Sequence, residues 1–505
     1  METEVELKFL ASETVASQLP ACLAQFQVLE QAQMDLANTY FDTPDQRLRA
    51  LDCGLRIRRR DESRQQTIKT AGQVVGGLYQ RPEYNLPVQQ DWPDLAAFPA
   101  DIWPVGTDVA GLQASLKPLF CTNFHRQTWL VAMNDGSRVE VAFDQGQILA
   151  GEQQEPIGEL ELELVSGQVT ALFDLAQTLV QLGGLRLGGQ SKAQRGYQLA
   201  GLASEAPIRR MGLAPVSPSM TVGQGLFCVL QYALAHWQYH EQLFMEHPSV
   251  EALVQLRSGV NLVRQAQMIF ADIYLPLGPR PWQDELAWLE GELAWLDEAQ
   301  ALQRLTAERA HYLRALRCHN ALLTVLEQQQ GALPDSAQVR SLLQSARYTS
   351  LLLAITRWVY LEQRQLEQPD PQRDAPLPSF ATTQLVISWQ ELHEAELRQP
   401  TLDYDGYLSL VGKLRRNLLV GVSFANLYEE ESRQGFRLPW QSLLRRMEEL
   451  EHFEVLDRLA PELATAQRLE LEEWLTARIS PRLLELDQAR LQALQMVPYW
   501  ELAQD

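Results

Sequence analysis

Ionisable side chains recur at alternate positions through the first two hundred residues, in combinations suited to a metal ion and to phosphate oxygens. The segment Glu4-Val5-Glu6-Leu7-Lys8 sets two carboxylates and an ammonium two residues apart. On an extended chain such residues share one face, so Glu4, Glu6 and Lys8 stand opposite Val5, Leu7 and Phe9. Arg56, Arg58 and Arg60 share a face, and Lys69 follows on the next run. Arg81, Glu83 and Asn85 share another, and Arg126 opens a later one. Glu140 and Asp144 sit four apart, and Glu159, Glu161 and Glu163 alternate with Leu160, Leu162 and Leu164. One such run is the ordinary pattern of a half-exposed strand. Together the runs are sorted, with acids on the first and last and bases between. Carboxylate oxygens are hard ligands that suit Mg²⁺ or Mn²⁺, whereas arginine forks and lysine point charges suit a polyphosphate. The chain has five lysines, and three of them, Lys8, Lys69 and Lys192, fall in charged segments of this region. A compact ammonium does not replace a guanidinium in a tight phosphate site, so this placement points to such a site.

The period-two runs predict strands over Glu2–Phe9, Gly54–Arg60, Thr67–Lys69, Arg81–Val88, Thr128–Ala132, Val139–Phe143 and Gly158–Val165, separated by turn residues such as Gly76-Gly77 and Asn134-Asp135-Gly136. Helices are expected near Ser12–Leu29 and Val169–Leu182. A closed barrel with a polar lumen and an apolar exterior covered by helices accounts for strands that each carry one charged and one apolar face. The proline-bearing stretch 201–219 reads as a linker. From 220 onward the period is 3.6, with helices expected over Trp282–Ala307, Arg309–Gln329, Ser336–Gln365, Thr401–Arg433, Leu438–Arg458 and Ala464–Gln495. Pro369–Pro378 reads as a loop between two helical bundles. The expected fold is thus α+β and multidomain, with residues 1–200 forming the barrel domain and 220–505 the helical one. A length of 505 residues agrees with more than one core.

The net charge of −21 sets most of the surface against nucleic acid and anionic lipid. Any polyanion site must be a local basic concentration. The five cysteines are scattered with no CxxC spacing, which argues against a disulfide framework or zinc site. The acidic start and the lack of a long uncharged apolar stretch make the cytoplasm the expected compartment, with no membrane span.

The E-x-E-x-K start, the GLRIR strand, the K-T-x-G segment at Lys69, the R-P-E-Y strand, the ELELEL strand and the SKAQRGY segment at Ser191–Tyr197 resemble CYTH domains, in the family's order. The likeness covers residues 1–200 and is nearest to bacterial CYTH–CHAD inorganic triphosphatases. It implies an eight-stranded antiparallel tunnel and metal-dependent hydrolysis of tripolyphosphate. Glu4, Glu6, Glu161 and Glu163 are then expected at the metal and the attacking water, with Glu83 and Asp144 as further acidic positions. Lys8, Arg56, Arg58, Lys69, Arg81, Arg126, Lys192 and Arg195 are expected to grip the substrate. Asn85 stands where the family often repeats an acid. On the same tunnel, thiamine triphosphate hydrolysis or cyclisation of ATP as in class IV adenylate cyclases is the alternative chemistry. A non-catalytic polyphosphate-binding module is the alternative of another class, although a pure anion binder has no use for paired glutamates.

Residues 220–505 resemble the CHAD domain, a pair of four-helix bundles associated with polyphosphate binding. The segments ELAWLEGELAWLDEAQAL, SARYTSLLLAITRWV and LEEWLTARISPRLLEL carry the likeness. Here the basic faces are thinned to Arg257 and Arg264 in one half and Lys413, Arg415 and Arg416 in the other, without the usual histidine. Weak polyphosphate binding, and a scaffold or partner-binding role, are expected of this part. His236 and His240 share a helix face and are expected to be surface or packing residues.

Overall fold

The computed structural model describes residues 2–60, 62–203, 206–274, 282–307, 311–397, 399 and 401–502. The chain divides into two compact units: Met1–Pro207 with Arg340–Tyr360, and Ile208–Val339 with Leu361–Asp505.

The first unit is built on ten strands: β1 (Glu2–Ala11), β2 (Gln27–Asp42), β3 (Gly54–Arg60), β4 (Ser63–Lys69), β5 (Gln73–Val75), β6 (Leu78–Pro87), β7 (Lys117–Ala132), β8 (Arg138–Ala150), β9 (Gln153–Ser166) and β10 (Leu185–Leu187). Eight of them pair antiparallel in the order β1-β9-β8-β7-β2-β3-β4-β6, and β6 pairs back onto β1. The sheet therefore closes into a barrel and loses its free edges. β10 adds to β1, and β5 adds to β6. Strict alternation decides which face looks out. Leu7, Phe9, Val139, Val141, Phe143, Leu160 and Leu162 are buried on the outer face. Helix α4 (Thr170–Leu179) covers them over β1, β8 and β9, burying Leu172, Phe173, Leu175 and Leu179.

The other helices of this unit are α1 (Glu13–Leu23), α2 (Arg47–Ala50), α3 (Val109–Ser115) and α5 (Lys192–Leu199). The helix expected over Ser12–Leu29 stops at Leu23, and the chain enters β2 at Gln27. β2 is rich in Gln, Ala, Met and Leu, which favour helices, yet Leu36, Asn38 and Tyr40 all bury one face of a strand. The lumen also differs from an evenly polar channel. Leu36, Phe120, Phe124, Ile148 and Ile157 form an apolar cluster, and Tyr197 and Ala193 of α5 pack into it.

In the second unit α6 (Val222–Glu246) starts on a capping box at Thr221 and Gln224. It is followed by α7 (Val250–Ile269), α8 (Ala271–Tyr274), α9 (Gln283–Glu292), α10 (Leu296–Thr306), α11 (His319–Ala332) and α12 (Ser336–Leu343). Then come α13 (Ala346–Gln365), which begins in the first unit, α14 (Leu377–Leu392), α15 (Tyr404–Phe424), α16 (Glu430–Leu459) and α17 (Thr465–Ala493). The single helix expected over Trp282–Ala307 is interrupted between Glu292 and Leu296. That expected over Arg309–Gln329 opens on Arg309 and Ala310, which lie outside the described residues. α16 starts eight residues before Leu438 and keeps Pro439 inside it. A proline mid-helix forfeits one backbone hydrogen bond, which is why the pattern suggested a start there. α14 packs on α15, α15 on α16 and α16 on α17.

α5 lies so close to the barrel that a Cβ at Gly196 would sit 2.1 Å from the Phe120 ring. Phe120 stacks on Tyr40 with centroids 4.7 Å apart and cannot retreat freely. Gly196→Ala is expected to destabilise the protein by ~2 kcal/mol through overpacking, read from the midpoint of urea unfolding.

Candidate functional site

The barrel encloses a cavity of about 480 Å³ whose wall is mostly polar. β1 contributes Glu4, Glu6 and Lys8, β3 Arg56 and Arg58, β4 Gln65, Thr67 and Lys69, and β6 Tyr79, Arg81, Glu83 and Asn85. β7 contributes Phe124 and Arg126, β8 Glu140, β9 Glu161 and Glu163, and α5 Lys192. Of the residues expected from sequence, only Asp144 and Arg195 are absent from this wall. Both are buried behind it. Asp144 accepts two bonds of 2.7 Å from Arg126 and lies 2.8 Å from the Lys192 ammonium. Arg195 reaches Glu159 at 3.0 Å and Glu155 at 2.6 Å.

The carboxylates divide into two sets. In the first, each is matched by cations. Lys192 meets Asp144, Glu159 and Glu161 at 2.8, 2.6 and 2.9 Å. Arg126 also reaches Glu161 at 2.7 Å, and Lys8 reaches Glu159 at 2.9 Å. Burial alone would raise the Glu159 carboxyl, but Lys192 and Lys8 outweigh it and hold it at about 2. Glu161 is likewise held well below the carboxylate range, by Lys192 and Arg126 against its burial. Across the lumen, Lys69 meets Glu83 at 3.1 Å and Arg56 stands 3.6 Å from it, which keeps Glu83 at about 2 despite burial.

The second set lacks that compensation. Glu6 and Glu163 face each other across the β1–β9 pair. Neither has a cation within ion-pair distance among the described residues. Burial, then the charge of Glu161, pushes Glu6 up to about 7. Burial, then Glu4 and Glu6, pushes Glu163 up to about 8. Glu4 is raised too, mainly by burial, although Lys69 approaches it at 2.5 Å. Its neighbours are thus like charges crowded out of water, a state that a cation relieves. Hard divalent ions take oxygen donors, carboxylates foremost, so Glu4, Glu6 and Glu163 fit Mg²⁺ or Mn²⁺ in chemistry. As the side chains stand, no three candidate ligands among the described residues converge into a metal cage.

Two cations that meet no acid at ion-pair distance among the described residues, Arg58 and Arg81, complete the wall. Arg58 donates to Asn38 at 2.9 Å, and Asn38 is fixed in turn by Thr122. Burial, then Arg56 and Arg126, lowers the Arg58 guanidinium to about 9. Arg81 lies against the Tyr79 ring, and its buried Nε has no hydrogen-bond partner. Two concentrated charges of one sign in a buried lumen leave room for an anion of several charges.

Asn85, which alternation puts on the face of Arg81 and Glu83, lines the wall, whereas Tyr79 and Arg49 gave no signal in sequence. Asn85 accepts from the Thr67 hydroxyl at 2.7 Å. Tyr79 donates to Gly189 O at 2.8 Å. Arg49 sits on the one-turn helix α2 within the β2–β3 loop, flanked by two left-handed residues, Gln46 and Asp52, where no strand alternation exists to place it. That loop is fixed by buried Asp42, which accepts from the amides of Thr43, Leu48 and Arg49 and from the Tyr197 hydroxyl at 2.8 Å. One carboxylate thereby ties the loop to the helix that carries Lys192.

In the helical unit three of the five thinned basic positions meet acids. Arg257 meets Asp297 at 2.7 Å, and Arg264 pairs with Glu290. Arg415 meets Glu451 at 3.0 Å and Glu448 at 3.2 Å. His240 is fully buried, with one ring nitrogen against His236 O and the other accepting the Arg209 amide.

A carboxyl held near 8 in the folded state and near 4.5 when exposed keeps its proton on folding where the unfolded chain has lost it. Metal-free stability must then fall as pH rises through that window. Without divalent ions the melting temperature is expected to drop by several degrees between pH 5 and pH 8, and Glu163→Gln should raise it at pH 8. Scanning calorimetry checks both, and a flat profile would remove the repulsion described above.

Residues 2–197 match the family model of the CYTH domain, and residues 228–461 match that of the CHAD domain. Over 204 residues, 39% of this chain, the sequence is 44% identical to a Haemophilus influenzae protein named inorganic triphosphatase. The matched stretch spans 55% of that relative's length. Among solved structures, the CHAD domain of Ricinus communis covers 58% of this chain and 98% of its own at 20% identity, with a TM-score of 0.48. A Hippeastrum adenylyl cyclase candidate described as having a dominant triphosphatase activity covers 40% of this chain and 98% of its own, at 15% identity and a TM-score of 0.28. The chain therefore carries a CYTH domain over residues 2–197 and, after it, a CHAD domain over residues 228–461.

Proposed function

We propose that the barrel hydrolyses inorganic tripolyphosphate to pyrophosphate and phosphate, with Mg²⁺ or Mn²⁺ held by Glu4, Glu6 and Glu163. The observation that carries this reading is the division of one cavity, among the described residues, into acids with no cation at ion-pair distance, Glu6 and Glu163, and cations with no acid there, Arg58 and Arg81. The likeness to the Haemophilus influenzae inorganic triphosphatase supports it. A divalent cation bound there supplies positive charge against phosphate oxygens and a more acidic water.

The chain's own residues do the rest. Arg56, Arg58, Arg81 and Lys69 hold the phosphate chain from one side of the lumen, and Lys8, Arg126 and Lys192 from the other. Bound so, the terminal phosphorus faces the glutamates of β1 and β9. A carboxylate of that set orients the attacking water in line with the breaking P–O bond and accepts its proton. The P–O bond to the leaving group breaks, and the pyrophosphate carries away the electron pair. Fixed cations stabilise the charge that gathers there without reorganising. Glu161 can join the acidic set once Arg126 and Lys192 turn to substrate. Glu83 and Asp144 act as anchors that aim Lys69, Arg56, Arg126 and Lys192, and Arg195 supports Glu159 from behind.

The same reading assigns catalysis to residues 1–200, a linker to 201–219 and a helical scaffold in the cytoplasm to 220–505. Polyphosphate binding by that scaffold is weak because Arg257, Arg264 and Arg415 are engaged by acids.

Phosphate release from tripolyphosphate, ATP, thiamine triphosphate and long-chain polyphosphate, with each metal, tests the assignment. Tripolyphosphate is expected to be the preferred substrate, and faster turnover of ATP or thiamine triphosphate would refute that choice. Glu6→Gln keeps the shape but removes a metal-binding charge, so kcat should fall by ~10³-fold, about 4 kcal/mol. Near-normal turnover at saturating metal would exclude Glu6 from the site. Lys8→Arg keeps the charge but not the compact ammonium, and kcat/KM is expected to fall at least tenfold, by roughly 1.4 kcal/mol. Steady-state kinetics with tripolyphosphate reads this directly.

A further inference from the structure

Arg340–Tyr360 belongs to the first compact unit although it lies within the residues that match the CHAD model. Its contacts there are specific. The Thr349 hydroxyl donates to Leu185 O at 2.6 Å, and the Gly184 amide donates to Gln344 O at 3.0 Å. Arg357 pairs with Asp174 of α4 at 2.6 Å, and Tyr360 lies 6.1 Å from the Phe173 ring. Thr356 presses on the β5–β6 turn so closely that a Cβ at Gly76 would lie 2.0 Å from its Oγ1. Thr349 and Thr356 are both buried. The segment thus touches the barrel at two places, the Gly76 turn and the start of β10.

Those two places converge on one residue. The Lys8 amide donates to Gly77 O at 3.2 Å, and the Gly188 amide donates to Lys8 O at 2.8 Å. The Lys8 ammonium donates to Gln190 O, three residues past β10, at 3.1 Å. The backbone of Lys8 is therefore gripped between the residue after Gly76 and the residue after β10, and its head group is aimed by the same second segment. We propose that α13 as far as Tyr360 is a positioning element of the barrel, bracing the Gly76 turn and β10 so that Lys8 is held on its line into the cavity. Thr349, Thr356 and Arg357 act through Lys8 and touch neither substrate nor metal. The structural part of this claim is independent of the reaction, and its kinetic part rests on the triphosphatase reading.

The test uses the full chain. Thr349→Val keeps the shape and removes the hydroxyl that holds Leu185 O, and it is combined with Arg357→Ala. Hydrogen exchange, followed in peptides spanning Lys8 and Gly188, should become about tenfold faster, while peptides from the middle of β8 are unchanged. KM for tripolyphosphate should rise about tenfold with a smaller change in kcat, as misplacing a binding group predicts. Thr349→Ser, which keeps the hydroxyl, should restore the parental values. Should the double variant fail to fold, Thr356→Ala removes the pressure on Gly76 and reads the same peptides. Unchanged exchange at Lys8 and Gly188 overturns the proposal, as does a lowered melting temperature with exchange or KM at the parental value. A parent chain inactive on tripolyphosphate would refute the function proposed above, and exchange alone would then decide this one.

Discussion

An ionised side chain taken from water into a protein interior loses hydration worth several kcal/mol even after the surroundings relax. Closing a sheet into a barrel imposes that loss on every charge pointing inward, because the wall admits no retreat to the surface. The lumen here carries six carboxylates and six cations on its strands, and α5 adds Lys192. How the loss is met differs from place to place, and that difference organises the molecule. Between β9 and α5 it is met by contact: one ammonium, Lys192, serves three carboxylates within 2.9 Å. At Glu6 and Glu163, opposite each other on β1 and β9, it is left unmet, and burial with neighbouring acids favours their protonated form.

The matched half keeps the unmatched half in place. Lys192 sits on a short helix, and that helix depends on Asp42 through Tyr197 and on a glycine that lets it approach Phe120. Asp42, Asp144 and Glu159 are fully buried acids whose partners are all supplied by the protein. Losing any one of them would leave a buried cation or amide group without its partner, the most expensive kind of vacancy in a low-dielectric site. Such acids are therefore part of the frame, although by type and strand register they resemble the ligands beside them.

That distinction marks how far sequence reasoning reaches. Alternation assigns a side chain to a face, and it did so for Glu4, Glu6, Lys8, Arg56, Arg58, Arg81, Glu161 and Glu163, all of which line one cavity. It carries no measure of depth. Asp144 and Arg195 have the right types and lie one layer behind the wall. β2 stayed hidden because its lumen face bears Leu36, Asn38 and Tyr40, with no charge to contrast against the outside, and because its composition favours a helix. Arg49 stayed hidden for another reason, since a one-turn helix between two left-handed residues is too short to show a period. The apolar cluster under α5 was likewise out of reach, since Phe120, Ile148 and Ile157 look like any other alternating apolar residue until the register is known.

The pairing of β1 has a consequence for how the protein is made. Its partners are β6, β9 and β10, all later in the chain, so β1 finds its last partner only at Leu185–Leu187. At roughly 5–20 residues per second, synthesis leaves β1 without its full complement for on the order of 10–40 s. During that time Val5, Leu7 and Phe9 present an apolar strand edge to the cell, of the kind that pairs with other chains. The interleaved acids Glu4 and Glu6, which work inside the finished barrel, are at this stage the charges that discourage such pairing. Folding of this barrel is dominated by contacts between distant parts of the chain, and slow closure is the expected result.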